Sequence, residues 1–145
     1  MKITLISVGK MKEDAGYAKL DDFYRGRIKP FAQFEVVELR EKNSIEQETE
    51  SIIKAIPRNN CIIALRETGK KFDSIGFSEL IRKERDRAKD ITFCIGGAYG
   101  FSSIGEDLSL SIAPWTLPHQ LARIVLIEQI YRGLSILNGS KYHHG

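Results

Sequence analysis

ITFCIGGAYG (residues 91–100) and LSLSIAPWTLPHQLARIVLIEQIYRGLSIL (residues 108–137) together form the part of the chain whose reading decides the fold. The first piece is an apolar strand running into a glycine loop. The second is a short strand followed by a long apolar helix: Thr116 can cap its start, Pro118 is tolerated in a first turn, and Gly139 follows the last periodic residues. The glycines mark a place where backbone comes close to something. The helix is apolar on more than one side, since Leu117, Leu121, Ile124, Ile127 and Leu134 form one stripe and Val125, Leu126, Ile130 and Leu137 carry it round the cylinder. Two explanations stand open: a central helix buried in its own domain, or a helix whose second face packs on another subunit about a two-fold axis.

The chain has 145 residues, 42% of them hydrophobic and 28% charged, which is the composition of one self-sufficient globular domain spanning residues 1–145 rather than of a disordered segment. The N-terminal apolar run in MKITLISVGKMKED is too short for a signal peptide or a membrane span, so a cytoplasmic protein is expected. Cys61 and Cys94 lie singly inside apolar runs, without companions at metal-ligand spacing, and read as buried free thiols of a reducing compartment. Twenty-two Lys and Arg against 19 Asp and Glu give a net charge of +3, a modest pointer to an anionic partner.

Outward from the quoted stretch, strands alternate with helices. Residues 2–8 form a buried strand ended by Gly9, and residues 14–31 a helix with Tyr17, Leu20, Phe23, Tyr24 and Ile28 at helical spacing. Residues 34–39 form a second strand, and Ser44 with Gln47 makes a capping box that opens a helix lasting to the residue before Pro57. Residues 61–65 form a short third strand that runs into the polar loop RETGKKFD, residues 77–89 an amphipathic helix, and residues 91–95 and 108–112 the last two strands. Strands that read as continuous apolar runs belong to a parallel sheet covered on both faces. The fold class is therefore α/β, a mainly parallel sheet with helices on both faces. Ligands of such sheets bind beyond the carboxyl ends of the strands, which here are Leu65, the IGGAYG loop and IAPW.

The glycine loop fails the Walker pattern, because Gly100 is followed by Phe101, Ser102 and Ser103 rather than Lys and Ser or Thr. It also fails the dinucleotide pattern, having two adjacent glycines after the fourth strand rather than a spaced set after the first. Glycines without a neighbouring cation suit a ligand held by backbone hydrogen bonds and flat apolar contact, such as an adenosine; a tight turn requiring positive φ is the competing reading. The three histidines do not form a zinc site: His119 falls at the helix start, in a capping or packing position, and His143 and His144 lie in the tail. The tail GSKYHHG is either a frayed terminus or a place where Tyr and His stack on a base or handle a proton.

MKITLISVGK, LRETGKKFDS, FCIGGAYG and LSLSIAPWTLPHQLARIVLIEQIYRGLSILNGSKYHH together resemble, over essentially the whole chain, the large-subunit ribosomal pseudouridine methyltransferase H family, small members of the SPOUT class of RNA methyltransferases. That resemblance implies a trefoil-knotted C-terminal half and a pocket for S-adenosylmethionine that includes Leu65, Gly96, Gly97, Ile112, Ala113, Pro114, Trp115, Thr116 and Leu117. IAPW stands where the family usually has a Ser-Lys-Met type of segment, and Lys141 where it often has proline; Tyr142 and His143 match its terminal Tyr-His pair. The resemblance further implies methyl transfer to N3 of a pseudouridine of large-subunit ribosomal RNA on assembled ribosomes, by a homodimer without a metal. Tyr142, His143 and Arg132 are the candidate catalytic residues, although an ion pair of Arg132 with Glu128 is the plainer reading of the latter. A non-catalytic RNA-binding module would need the basic surface but no donor pocket, and an ordinary nucleotide-binding α/β enzyme would prefer a phosphate ligand.

Overall fold

The computed structural model describes residues 1–11 and 16–145. Its elements are β1 (Lys2–Val8), α1 (Tyr17–Ile28), β2 (Gln33–Leu39), α2 (Ile45–Ala55), β3 (Asn60–Lys71), α3 (Ser74–Asp86), β4 (Asp90–Ile95), β5 (Leu108–Ser111) and α4 (His119–Leu137). Every strand pair is parallel and the order across the sheet is β2-β1-β4-β3-β5. The continuous apolar strands thus do what their pattern predicts, and alternate residues enter two cores. Ile3, Leu5, Ile63 and Phe93 meet Ile28 of α1, Phe77 and Ile81 of α3, and Ile127, Ile130 and Leu134 of α4. On the other face Ile6, Val8, Ala64 and Cys94 meet Ile52 of α2 together with Phe101 and Ile104. Burial pushes the Cys94 thiol up to about 12, so it is a core residue rather than a nucleophile.

Local chemistry explains where several elements begin and end. Ser44 accepts the Gln47 amide at 3.2 Å, as its capping box requires. Asp73 accepts the Gly76 amide at 2.7 Å, which starts α3 three residues before the apolar pattern alone indicates; Ala88, with φ 55, closes that helix in the left-handed region. The start expected for α1 at Asp14 lies outside the described residues.

Thr116 does not cap α4. No side chain does so; Pro118 occupies the cap position and its carbonyl accepts the Ala122 amide at 2.9 Å. Leu117, preceding a proline, is kept out of the helical region, so the helix can open only after it.

The third strand also differs from its reading as a short run followed by a loop. β3 pairs with β5 up to Leu65↔Leu110, bulges through residues 66–69, and resumes at Lys70↔Leu110, so RETGKK belongs to the strand. Gly69 permits that crossing: a Cβ there would lie 2.6 Å from the Leu110 backbone.

α4 is flanked by α1 and α3 and lies on the sheet. Most of its circumference is covered within its own domain, the first of the two explanations for its breadth of apolar residues. Its remaining stripe (Ala122, Val125, Gln129, Arg132, Ile136) is half-buried. Near the N-terminal end a buried ion cluster joins three elements. The Arg123 guanidinium donates to Asp21 of α1 at 2.9 and 3.0 Å and to Glu38 of β2 at 2.8 Å.

Candidate functional site

At the carboxyl ends of β4 and β5, beside the bulge of β3, lies a cavity of about 520 Å³. Its inner wall is aliphatic: Leu65, Ile95, Leu110, Ile112 and Leu117 all line it. The glycine loop forms a second side. Gly96 lacks a side chain because the Phe101 ring occupies that place, 2.7 Å from where a Cβ would stand, and Gly97 because the Glu48 carboxylate and Val8 do, at 2.9 and 3.1 Å. Neither has positive φ; the turn itself is made by Gly100, at φ 73. The tight-turn reading therefore holds at Gly100, while Gly96 and Gly97 are required by side chains of the chain itself.

The loop is held from two directions. From β3, Arg66 donates to the carbonyls of Phe101 and Ser102, each at 2.8 Å, pairs with Glu106 at 2.7 Å, and covers the Phe101 ring at 4.4 Å. From α2, Thr49 Oγ1 accepts the Ser102 amide at 2.9 Å while donating to the Ile45 carbonyl at 2.7 Å. Arg66 lines the cavity, but its donors are spent on the loop, so it is poorly placed to meet a phosphate.

Glu48 lies beneath the loop, 1% exposed, with its Oε2 lacking a hydrogen-bond partner. Burial raises its pKa first and the charge of Glu41 adds to this, while the amides of Gly97 and Lys42 and the charge of His119 oppose it. A carboxyl whose pKa is raised on folding contributes stability that is complete below the unfolded value and is lost as pH rises through the folded one. Glu48→Gln should therefore flatten the decline of thermal stability expected of the parent protein as pH rises above the ordinary carboxylate value of 4.5. Parallel melting curves for the two proteins over that range would contradict it.

Of the residues expected in the pocket, Leu65, Gly96, Gly97, Ile112, Ala113, Trp115 and Leu117 line the cavity; Pro114 and Thr116 are exposed and stand outside the lining. His119 and Ala122 bring the first turn of α4 to the same cavity, and Ile45 and Tyr99 reach it from α2 and the loop. Arg132, Tyr142 and His143 are together, but elsewhere. Arg132 lies thirteen residues beyond His119 on α4, about 20 Å along the axis at 1.5 Å per residue.

There the tail folds back on the helix rather than fraying. Tyr142 donates to Glu128 at 3.0 Å and packs on Tyr131 with ring centroids 4.5 Å apart, and Arg132 covers the Tyr142 ring at 4.7 Å. Arg132 also pairs with Glu128 at 2.6 Å, the intrahelical ion pair expected of that spacing. Its Nη1 lies 3.1 Å from His143 Nδ1, and because a guanidinium can only donate, Nδ1 is the acceptor of that contact. The Tyr142 hydroxyl titrates well above its ordinary value, through burial and then the bond to Glu128.

Residues 1–143 match the family described as predicted SPOUT methyltransferase. The chain belongs to the SPOUT methyltransferase family. Proteins named "Ribosomal RNA large subunit methyltransferase H" are similar to it along their whole lengths. That of Mycoplasmopsis synoviae is 41% identical over 149 aligned positions, covering 99% of each chain. That of Geobacter sp. strain M21 is 37% identical over 154 positions, again covering 99% of each. That of Caldicellulosiruptor bescii is 37% identical over 153, covering 97% of this chain and 99% of its own. A methyltransferase needs one site for a donor and access for an acceptor. Among the described residues no helix is long and apolar enough to cross a membrane, and no group of His, Cys, Asp and Glu could hold a metal.

Proposed function

We propose that this SPOUT methyltransferase transfers the methyl group of S-adenosylmethionine to N3 of a pseudouridine in large-subunit ribosomal RNA, on assembled ribosomes, as a homodimer in the cytoplasm. The observation that carries the reading is the cavity at the glycine loop, aliphatic inside and without an unengaged cation, in a chain similar end to end to proteins named for methylating that RNA. The donor supplies an electrophilic methyl on a sulfonium. N3 forms the new C–N bond as the C–S bond breaks, the sulfur keeps that electron pair, and the N3 proton leaves to a base. The chain's own contribution is placement, which can supply much of the rate. Leu65, Ile112 and Leu117 offer apolar contact to an adenosine, Gly96 and Gly97 offer backbone, and Arg66 and Thr49 keep the loop in position. The half-buried stripe of α4 supports a two-fold interface between copies. The path from β4 through residues 96–107 to the edge strand β5, and back to α4 between α1 and α3, supports the trefoil knot that the resemblance implies.

Thermal stabilisation tests the donor directly. At tenfold over Kd, S-adenosylmethionine should add about 1.4 kcal/mol to stability, and NAD or ATP nothing. Gly96→Ala drives a methyl into the Phe101 ring, overpacking worth about 1–3 kcal/mol. Carried by the loop, that is a loss of roughly 5- to 150-fold in donor affinity by calorimetry. Unchanged affinity in that variant would remove the glycine loop from the donor site. Stabilisation by ATP instead would remove the donor itself.

A further inference from the structure

The two most exposed large apolar side chains among the described residues are Trp115, at 76%, and Tyr99, at 64%, and both stand on the same cavity. They come from different segments. Tyr99 projects from the glycine loop, and Trp115 from the stretch between β5 and α4. Ile45, at the start of α2 and also exposed, completes the rim. Single water-facing aromatics are ordinary, but two of this size grouped round an opening mark a surface that something flat and apolar covers.

We propose that Tyr99 and Trp115 form an aromatic lip that stacks an unpaired nucleobase of the RNA substrate as the acceptor enters the cavity. This rests on the methyltransferase reading of the site and names the surface through which its substrate is held. The division of the cavity supports RNA over the donor as occupant. Ile95 and Leu110 of the inner wall are buried, 4% exposed each, and with the half-buried Leu65 and Ile112 form the deep aliphatic side that an adenosine would contact. The aromatics are the most water-facing apolar side chains of the same lining, on the side from which an acceptor must arrive. Tyr and Trp faces are the side chains on which splayed single-stranded bases stack, with little demand on sequence. Ser111 Oγ donates to the Ala113 carbonyl at 2.9 Å, steadying the segment that carries Trp115, and the Arg66 clamp steadies the loop that carries Tyr99. The lip is therefore mounted on tethered backbone.

The test compares the parent protein with Trp115→Ala, Tyr99→Ala and Trp115→Phe. Donor affinity is read by calorimetry, and methyl transfer by single-turnover kinetics as a function of the concentration of large ribosomal subunits lacking the modification. Each alanine variant should raise the half-saturating subunit concentration roughly tenfold or more, as loss of one stacked base does, and in Tyr99→Ala the transfer rate at saturation should stay within a few-fold. Trp115→Phe should recover most of the loss, because a ring face remains. Donor affinity should be unchanged in Tyr99→Ala, a residue outside the donor set that the resemblance implies. A parallel loss of donor affinity would assign the lip to the donor and overturn the proposal. So would an unchanged subunit dependence, or a shift of sedimentation coefficient, which would place a second copy of the chain on the lip. Absence of transfer by the parent protein would overturn the methyltransferase reading and the lip with it, whereas active parent and unaffected variants reject the lip alone.

Discussion

Arg123→Ala should lower the stability of the domain by about 3–5 kcal/mol, the range for a buried ion pair broken on one side. The side chain is only 3% exposed and holds both oxygens of the equally buried Asp21, so truncation leaves a carboxylate without solvent or full compensation. Arg25, 3.4 Å from Asp21 and partly exposed, offers a weaker substitute. Urea unfolding should show a large fall in midpoint at constant slope. Because desolvation of the charges offsets much of the pair's attraction, the double variant Asp21→Leu with Arg123→Met should recover most of the loss. A single-variant change below about 1 kcal/mol would show that water or Arg25 compensates the carboxylate. Since the pair fastens α4 to α1, the outcome also measures how firmly the helix linking cavity and tail is anchored.

Deleting residues 141–145 should leave donor affinity nearly intact while lowering methyl transfer to ribosomes by more than about a hundredfold, on the order of 2.7 kcal/mol of transition-state stabilisation. The geometry makes this a demanding expectation. Tyr142 and His143 sit at the end of α4 remote from their own subunit's cavity, so their effect requires the cavity of a partner across the proposed dimer. Deletion also uncovers Tyr131, and for that reason Tyr142→Phe and His143→Ala should be measured beside it. Tyr142→Phe removes only the hydroxyl that donates to Glu128, and His143→Ala only the imidazole that accepts from Arg132. Full activity of the truncated protein would refute a catalytic tail. Lost donor binding would mean that the tail closes over the donor instead.

How far the sequence discloses this molecule depends on the range of the interaction concerned. Apolar runs and a local cap identify the parallel sheet, the α2 start and the glycine loop, since those signals lie within a few residues. The extension of β3 is hidden because Arg66 to Lys71 are polar, and their pairing with β5 follows from a bulge that no local pattern announces. Arg66 itself reads as surface charge in RETGKK; its clamp on Phe101 and Ser102 spans 35 and 36 residues of chain. Glu48 reads as an ordinary acid in the first turn of a helix, and only the packing of α2 beneath the loop turns it inward. The tail reads as short and polar, and its order comes from Glu128 and Tyr131, on another element.

The slack in β3 has a further consequence, for how the sheet avoids self-association. β5 is an edge strand of only four residues, and it is engaged by β3 on both sides of the bulge. A strand so short offers few free backbone groups, and a bulge twists the ladder beside it, so an incoming chain finds no long flat template to extend. At the opposite edge β2 is longer, but it carries Glu35 and Glu38 among its apolar residues, and Glu35 is tied to Lys2 at 2.8 Å. Charge guards one border of the sheet and brevity the other. The excursion that shapes one wall of the cavity thus also protects an open parallel sheet from growing into an aggregate.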